Sequence, residues 1–153
     1  MPQRSAGILL FRRIGPTPEV LLVHPGGPFF AKKDEGAWSI PKGLLEADEQ
    51  PLATARREFS EETGHLPAGE ATPLGEFKQP GGKIVVAFAV EGDFSLANFR
   101  SNSFAMEWPP KSGRTAEFPE ADRAGWFSID EARGKILKGQ APMLDVLLTK
   151  IGA

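Results

Sequence analysis

The sequence predicts an α/β (α+β) fold in which a mixed β-sheet lies between helical layers. Its 153 residues are 41% hydrophobic and 25% charged, which is typical of a globular domain with one core. Short apolar runs bounded by glycine and proline turns are mixed with helical segments, without strict strand–helix alternation. We therefore expect residues 1–153 to form one domain.

The first part of the chain contains a strand pair and a helix. The largely apolar runs 7–11 and 19–23, each followed by a turn that contains glycine and proline, predict the two strands of a hairpin. A turn-rich stretch then leads to a helix over residues 51–63, with Pro51 at its first position and Gly64 as its stop. The helical spacing of its apolar residues predicts a buried stripe of Leu52, Ala55 and Phe59.

Further strands follow in the middle of the chain. Residues 73–78 and 83–90 are predicted strands on either side of a Pro-Gly-Gly turn. Another strand is indicated by three alternating residues, Phe104, Met106 and Trp108. The polar stretch 111–123 predicts a mobile loop, and Trp126-Phe127 a short strand after it.

Two helices are predicted at the end of the chain. Ser128 and Glu131 form a capping-box sequence that opens the second helix. The third begins near Pro142 and stops at Gly152. Its apolar face is expected to consist of Leu144, Leu147, Leu148 and Ile151.

Composition excludes several classes of protein. The chain has no cysteine, which excludes disulfides, thiolate metal sites and a cysteine nucleophile, and we expect a cytoplasmic location. No stretch approaches the ~18 apolar residues of a membrane helix, so we expect no membrane partner. A net charge of −2 provides no overall attraction for nucleic acid, and we expect none as a partner.

Three glutamates crowd one side of the first helix. Glu58, Glu61 and Glu62 are separated by three and four positions, so they lie next to one another and repel. A solvated helix face would be the simplest explanation of such a pattern. Mg²⁺ would convert the repulsion into affinity, because it binds through carboxylates, waters and the phosphate oxygens of a substrate.

The surrounding residues resemble the signature of the Nudix hydrolase family. Gly43 and Glu49 are separated by five residues, and seven more lead to Arg57-Glu58-Phe59-Ser60-Glu61-Glu62-Thr63-Gly64. The resemblance implies the Nudix α/β/α sandwich with a mixed β-sheet. Residues 24–28 and 38–43 are similar to a bacterial subgroup described as predicted NTP pyrophosphohydrolases. Two features depart from the pattern. His65 stands where relatives have an apolar residue, and Leu44-Leu45 follow Gly43 where many relatives have a more polar loop.

The resemblance also implies a role for individual residues. The metal ligands would be Glu58, Glu61, Glu62, the carbonyl near Gly43, and a glutamate from a late loop, for which Glu120 is preferred to Glu117. Catalysis would involve Glu58 as general base, with Arg57 and Glu61. Glu49 and Gly64 would give structural support, Glu49 as the partner of Arg57. Substrate contacts are expected from Lys42, Trp38 and Phe30. The cofactor would be Mg²⁺, with Mn²⁺ as a substitute.

The implied reaction is Mg²⁺-dependent hydrolysis of a pyrophosphate bond in a nucleoside diphosphate linked to another group. A nucleoside triphosphate or dinucleoside polyphosphate is favoured over ADP-ribose as the small-molecule partner. Family members that cut dinucleoside polyphosphates often have a downstream tyrosine, which this chain lacks, whereas Pro80 occupies a position typical of ADP-ribose-cleaving members. The alternative is a non-catalytic Nudix-fold nucleotide sensor. A homodimer is compatible with the family.

Overall fold

A computed structural model describes residues 3–152 of the chain. In these residues the polypeptide forms eight strands and three α-helices. The strands are β1 (Arg4–Arg13), β2 (Pro18–Pro25), β3 (Lys42–Leu44), β4 (Ala71–Lys78), β5 (Ile84–Glu91), β6 (Ser103–Glu107), β7 (Thr115–Pro119) and β8 (Ala121–Ser128). The helices are α1 (Pro51–Thr63), α2 (Ile129–Lys135) and α3 (Pro142–Ile151).

The main sheet is mixed, as predicted. Its strand order is β4-β5-β1-β2-β8, with β5 parallel to β1 and the other neighbours in this order antiparallel. The short strand β3 also pairs with β1, antiparallel to it. Strands β6 and β7 form a separate two-stranded sheet.

The β1–β2 hairpin opens soon after its turn. The two strands pair at only three positions, from Phe11 with Val20 to Arg13 with Pro18, and then diverge. Residues 39–44 fill the opening, where Ser39 bridges to β2 and Gly43 pairs with β1. This inserted segment therefore becomes part of the sheet and carries β3 towards α1.

Apolar side chains of β1 alternate between the two faces of the sheet, as expected for a strand buried on both sides. Ala6, Ile8 and Leu10 pack in the cluster that contains Phe59 of α1. Leu9 and Phe11 point to the opposite cluster, which includes residues of α2 and α3. The sheet thus lies between α1 on one face and α2 with α3 on the other, and the predicted α/β/α sandwich is confirmed.

The helix ends follow their sequence signals. Helix α1 has the predicted bounds and ends at Gly64, whose φ of 81° is a left-handed conformation suited to glycine. The capping box of α2 is present, with Glu131 N donating to Ser128 Oγ at 3.2 Å and Ser128 N donating to Glu131 Oε1 at 3.0 Å. None of the helices in the described residues has the length and apolar character needed to cross a bilayer.

The prediction of a mobile loop over residues 111–123 was wrong. Most of this stretch belongs to β7 and β8, and Phe118 of β7 is the cross-strand partner of Phe104 in β6. The strand expected only at Trp126-Phe127 is eight residues long. The β6–β7 sheet is largely exposed, so its polar residues did not have to alternate with a buried apolar set.

Candidate active site

One cleft brings together carboxylates from α1 and from the β7–β8 connection. Its volume is about 370 Å³. Its lining residues are Val23, Pro25, Phe30, Ser39, Ile40, Lys42, Glu58, Glu62, Glu120 and Leu137. We call it the glutamate cleft. Glu61 lies beside the glutamate cleft on α1, and its side chain is 31% exposed.

Glycine at position 43 allows Glu58 to occupy its place. A Cβ atom built on Gly43 would lie 2.0 Å from the carboxyl carbon of Glu58, far inside van der Waals contact. Gly43 is held in this position by its pairing with Ala6 of β1. The backbone of β3 therefore approaches the Glu58 carboxylate as closely as only glycine permits.

Arg57 joins three carboxylates at the edge of the cleft. Its Nη2 donates to Glu49 Oε2 at 3.3 Å. Its Nη1 donates to Glu58 Oε2 at 3.2 Å and to Glu61 Oε2 at 3.0 Å. The expected contact with Glu49 is thus present, but the guanidinium is shared between three acids instead of binding one of them in a bidentate manner.

Among the acids of the glutamate cleft, Glu62 has the pKa that its surroundings raise most. Burial, followed by the charge of nearby Glu120, raises its pKa from the ordinary 4.5 to about 8. Its Oε2 accepts a hydrogen bond of 3.2 Å from the backbone N–H of Lys42. Among residues 3–152, no arginine or lysine side chain forms an ion pair with it. This acid faces the cleft without a compensating positive group in direct contact.

Glu120 reaches the cleft because the neighbouring backbone is fixed on two sides. Its N–H donates to Asn102 O at 2.7 Å, and its carbonyl accepts from Gly26 N at 3.0 Å. The β2–β8 register shifts just beyond this point, between His24 and Pro25. The pKa of Glu120 is raised by burial and then by the charges on α1. Glu117, the other acid considered, is exposed on β7.

The three expected substrate contacts lie in different environments. Phe30 and Lys42 line the glutamate cleft. Burial is the main cause that lowers the pKa of Lys42, and the charge of Lys83 acts in the same direction. Trp38 is only 6% exposed, and its indole packs against Phe127 with its Nε1 donating to an aspartate. The substrate contact expected from Trp38 is therefore corrected, because its ring belongs to the core.

Two residues that support the site had no clear signal in the sequence. A Cβ atom on Gly26 would lie 1.8 Å from Pro119 O, so glycine is needed for the contact that positions Glu120. Gln140 is fully buried and binds the inserted segment, accepting from Ile40 N at 3.0 Å and donating to Ser39 Oγ at 2.9 Å. Both depend on segments that are distant in sequence, which a local pattern does not reveal.

The side chain of His24 is fully buried and contacts an oxygen atom on each side of its ring. Nδ1 lies 2.8 Å from Asp122 Oδ1 and Nε2 lies 2.6 Å from Lys33 O. Both ring nitrogens thus lie within hydrogen-bond distance of an oxygen atom. The ring therefore links β2, β8 and the loop that carries Phe30.

The donor set fits a hard divalent cation. Glu58, Glu62 and Glu120 supply carboxylate oxygens to one cleft, and the pKa of each is raised by burial together with the charge of another acid. In the described residues, no three side chains converge closely enough to hold an ion as they stand. Arg57 Nη1 contacts oxygens of both Glu58 and Glu61, so two of the candidate ligands already share one basic partner.

Comparison with solved structures identifies similar folds at low sequence identity. The NUDIX domain of Shewanella oneidensis NrtR complexed with ADP ribose has a TM-score of 0.68 and 15% identity, with 99% of this chain and 89% of that chain covered. A mutT/nudix family protein from Listeria innocua has a TM-score of 0.65 and 20% identity, with 99% and 96% covered. The C. elegans Ap4A hydrolase in a binary complex has a TM-score of 0.64 and 17% identity, with 98% of each chain covered.

A search of curated proteins finds no match. The NUDIX domain family, however, matches residues 1–147, which is nearly the whole chain. This match includes the inserted segment, α1 and the β7–β8 connection, and so every acid of the glutamate cleft. The chain therefore belongs to the NUDIX family of pyrophosphohydrolases.

Proposed function

We propose that this chain hydrolyses a pyrophosphate bond in a nucleoside diphosphate linked to another group, with Mg²⁺ as cofactor and Mn²⁺ as a substitute. A nucleoside triphosphate or a dinucleoside polyphosphate is the favoured substrate, and ADP-ribose is less favoured. The observation that carries the proposal is the convergence of Glu58, Glu62 and Glu120 on one cleft from two distant segments. We assign this activity to a single domain of residues 1–153.

The cation would be held by Glu58, Glu61, Glu62, Glu120 and the carbonyl near Gly43. Bound there, it would neutralise phosphate oxygens and lower the pKa of a water molecule. Support comes from Glu62, which faces other acids and is not ion-paired with any basic side chain in residues 3–152. Such a carboxylate gains most from a positive charge at that place.

The remaining residues have roles in positioning and proton transfer. Glu58 accepts the proton of the attacking water, and its pKa, raised by burial and by Glu61, favours that task. The water oxygen forms a bond to phosphorus, the bridging phosphorus–oxygen bond breaks, and the leaving phosphate takes the electron pair. Arg57 keeps Glu58 and Glu61 in place, while Lys42 and Phe30 contact the substrate from the cleft wall.

The similar structures support a nucleotide substrate. One of them is an Ap4A hydrolase and another is a NUDIX domain complexed with ADP ribose. Both compounds contain a pyrophosphate linkage attached to adenosine, which is the chemical class proposed for this chain. The ADP ribose complex is also compatible with the second candidate function for this chain, which is to bind a nucleotide without cleaving it.

The test is a nucleotide panel with Mg²⁺, in which products are identified by mass spectrometry. We expect the parent protein to cleave at least one nucleoside polyphosphate, and Glu62→Gln to lose at least about a hundredfold in kcat. Glu117→Gln is the matched control, because this glutamate is exposed on β7, and it should keep the parental rate. Binding of a nucleotide without any turnover in the panel would support the sensor and refute the hydrolase.

A further inference from the structure

A second cavity borders the glutamate cleft. Its volume is about 580 Å³, and the two cavities share Phe30, Lys42 and Leu137. The second cavity also touches the β4–β5 turn and the turn that precedes α3. A molecule that lies over the glutamates could therefore extend past Lys42 into this space.

The charge of this second cavity is opposite to that of the cleft. Lys42, Lys83 and Lys138 are among its lining residues, and no aspartate or glutamate is. Lys83 is close enough for its charge to act on Lys42. Within the part of the chain that the structure describes, none of the three ammonium groups forms an ion pair with a carboxylate. We call this space the lysine cavity.

Hydrogen bonds of the Gln79 side chain connect two walls of the lysine cavity. The amide of Gln79 donates to Gly139 O at 3.1 Å and to Phe77 O at 3.2 Å. A Cβ atom on Gly139 would lie 2.8 Å from Gln79 Oε1, so glycine makes this contact feasible. Gln79 N also donates to Lys83 O at 2.7 Å. The backbones that carry Lys83 and Lys138 are thus held beside each other by one hydrogen-bonded residue.

We propose that the lysine cavity binds a second phosphate-bearing part of the substrate while the scissile pyrophosphate lies over the glutamates. This inference rests on the proposed function and specifies its substrate class. Ammonium groups without an ion-pair partner in a concave site attract phosphate oxygens. The preferred substrate then carries phosphate beyond the bond that is cut, as a dinucleoside polyphosphate or nucleoside triphosphate does. A nucleoside diphosphate attached to an uncharged sugar leaves the lysine cavity without a phosphate.

The first experiment measures binding without catalysis. Inorganic tripolyphosphate is titrated calorimetrically into the protein in EDTA, so that no divalent ion and no hydrolysis contribute. Replacing both Lys83 and Lys138 by glutamine should weaken binding at least about tenfold. Both lysines are exposed, so the fold should tolerate the changes. Lys78→Gln is the control, because this exposed residue lies at the end of β4 but does not line the cavity. Equal affinity of the parent and the double variant would overturn the inference.

The second experiment compares two substrates with Mg²⁺, diadenosine tetraphosphate and ADP-ribose. In the double variant, the ratio of kcat/KM for the first substrate to that for the second should fall at least about tenfold. In Lys78→Gln it should match the parent. An unchanged ratio would overturn the inference even if hydrolysis is fast. If neither substrate is cleaved but tripolyphosphate binding still depends on both lysines, the proposed hydrolysis fails and the anion site remains.

Discussion

Replacing Glu62 by glutamine isolates the energetic cost of burying a carboxylate close to another acid. Glutamine has nearly the same shape but no charge. In the metal-free parent, burial and Glu120 raise the pKa of Glu62 from 4.5 to about 8. Between these values the unfolded chain ionises while the folded protein retains the proton, so the folded state is favoured less and less as pH rises. Below about pH 4.5 both states are protonated and the effect is absent.

The magnitude follows from the size of this pKa change. Each tenfold change in proton affinity is worth about 1.4 kcal/mol, which sets a ceiling of roughly 5 kcal/mol for a change from 4.5 to about 8. The cost of ionising Glu62 in the folded protein is smaller than this ceiling when water enters the cleft or when the ammonium group of Lys42 moves towards the carboxylate. We therefore expect Glu62→Gln to exceed the parent in unfolding free energy by about 2 to 4 kcal/mol near pH 9 in EDTA.

The assay is urea denaturation at several pH values, repeated with Mg²⁺. Near pH 5 the parent and Glu62→Gln should have similar stability, and the gap should open as pH rises. Added Mg²⁺ should stabilise the parent by about 3 kcal/mol when its concentration is a hundred times the dissociation constant, and should stabilise the variant much less. Glu117→Gln should follow the parent throughout, since it is exposed. Parallel pH curves in EDTA, or equal stabilisation by Mg²⁺, would refute the reasoning.

Three further substitutions test single contacts. Gly43→Ala should displace the Glu58 carboxylate, which a Cβ atom would meet at 2.0 Å, and lower kcat at least about a hundredfold with little loss of helicity in circular dichroism. Gly26→Ala collides with the backbone before Glu120, so it should raise the Mg²⁺ concentration for half-maximal activity more than it raises the KM for nucleotide. His24→Leu removes both hydrogen bonds of a fully buried ring and should lower the unfolding free energy by about 1 to 3 kcal/mol in denaturation, whereas an unchanged midpoint would show that the ring is not a structural link.

Much of the fold could be predicted because its signals are local. Pro51 and Gly64 define the ends of α1, since each residue is suited to one end of a helix by its own backbone preferences. The apolar runs of β1 and β2 identify strands that are buried on both faces. The β6–β7 sheet was not predicted in full, because its strands are mostly exposed and lack an alternating apolar pattern.

The candidate site, like the fold, could be predicted only where its signals are local in the sequence. The acids of α1 could be grouped from sequence because a helix brings positions three and four apart together. Glu117 and Glu120 were both candidates from the late loop, and it is the β2–β8 register and the contact with Gly26 that bring Glu120 to the cleft. The burial of Trp38 and the presence of the lysine cavity could not be predicted from the sequence, because both depend on how separate loops pack.

The opening of the β1–β2 hairpin separates two tasks within this chain. The inserted segment 39–44 is fixed by pairing with both strands and delivers Gly43 to α1, so its geometry is constrained by the sheet. Loop 27–36 and the turns at 79–83 and 138–140, which border the cavities, have no part in the pairing of the main sheet. These loops can change in length and charge while the acidic helix stays in register. Substitutions in these loops are therefore expected to change the substrate that is bound while the acids of α1 keep their positions.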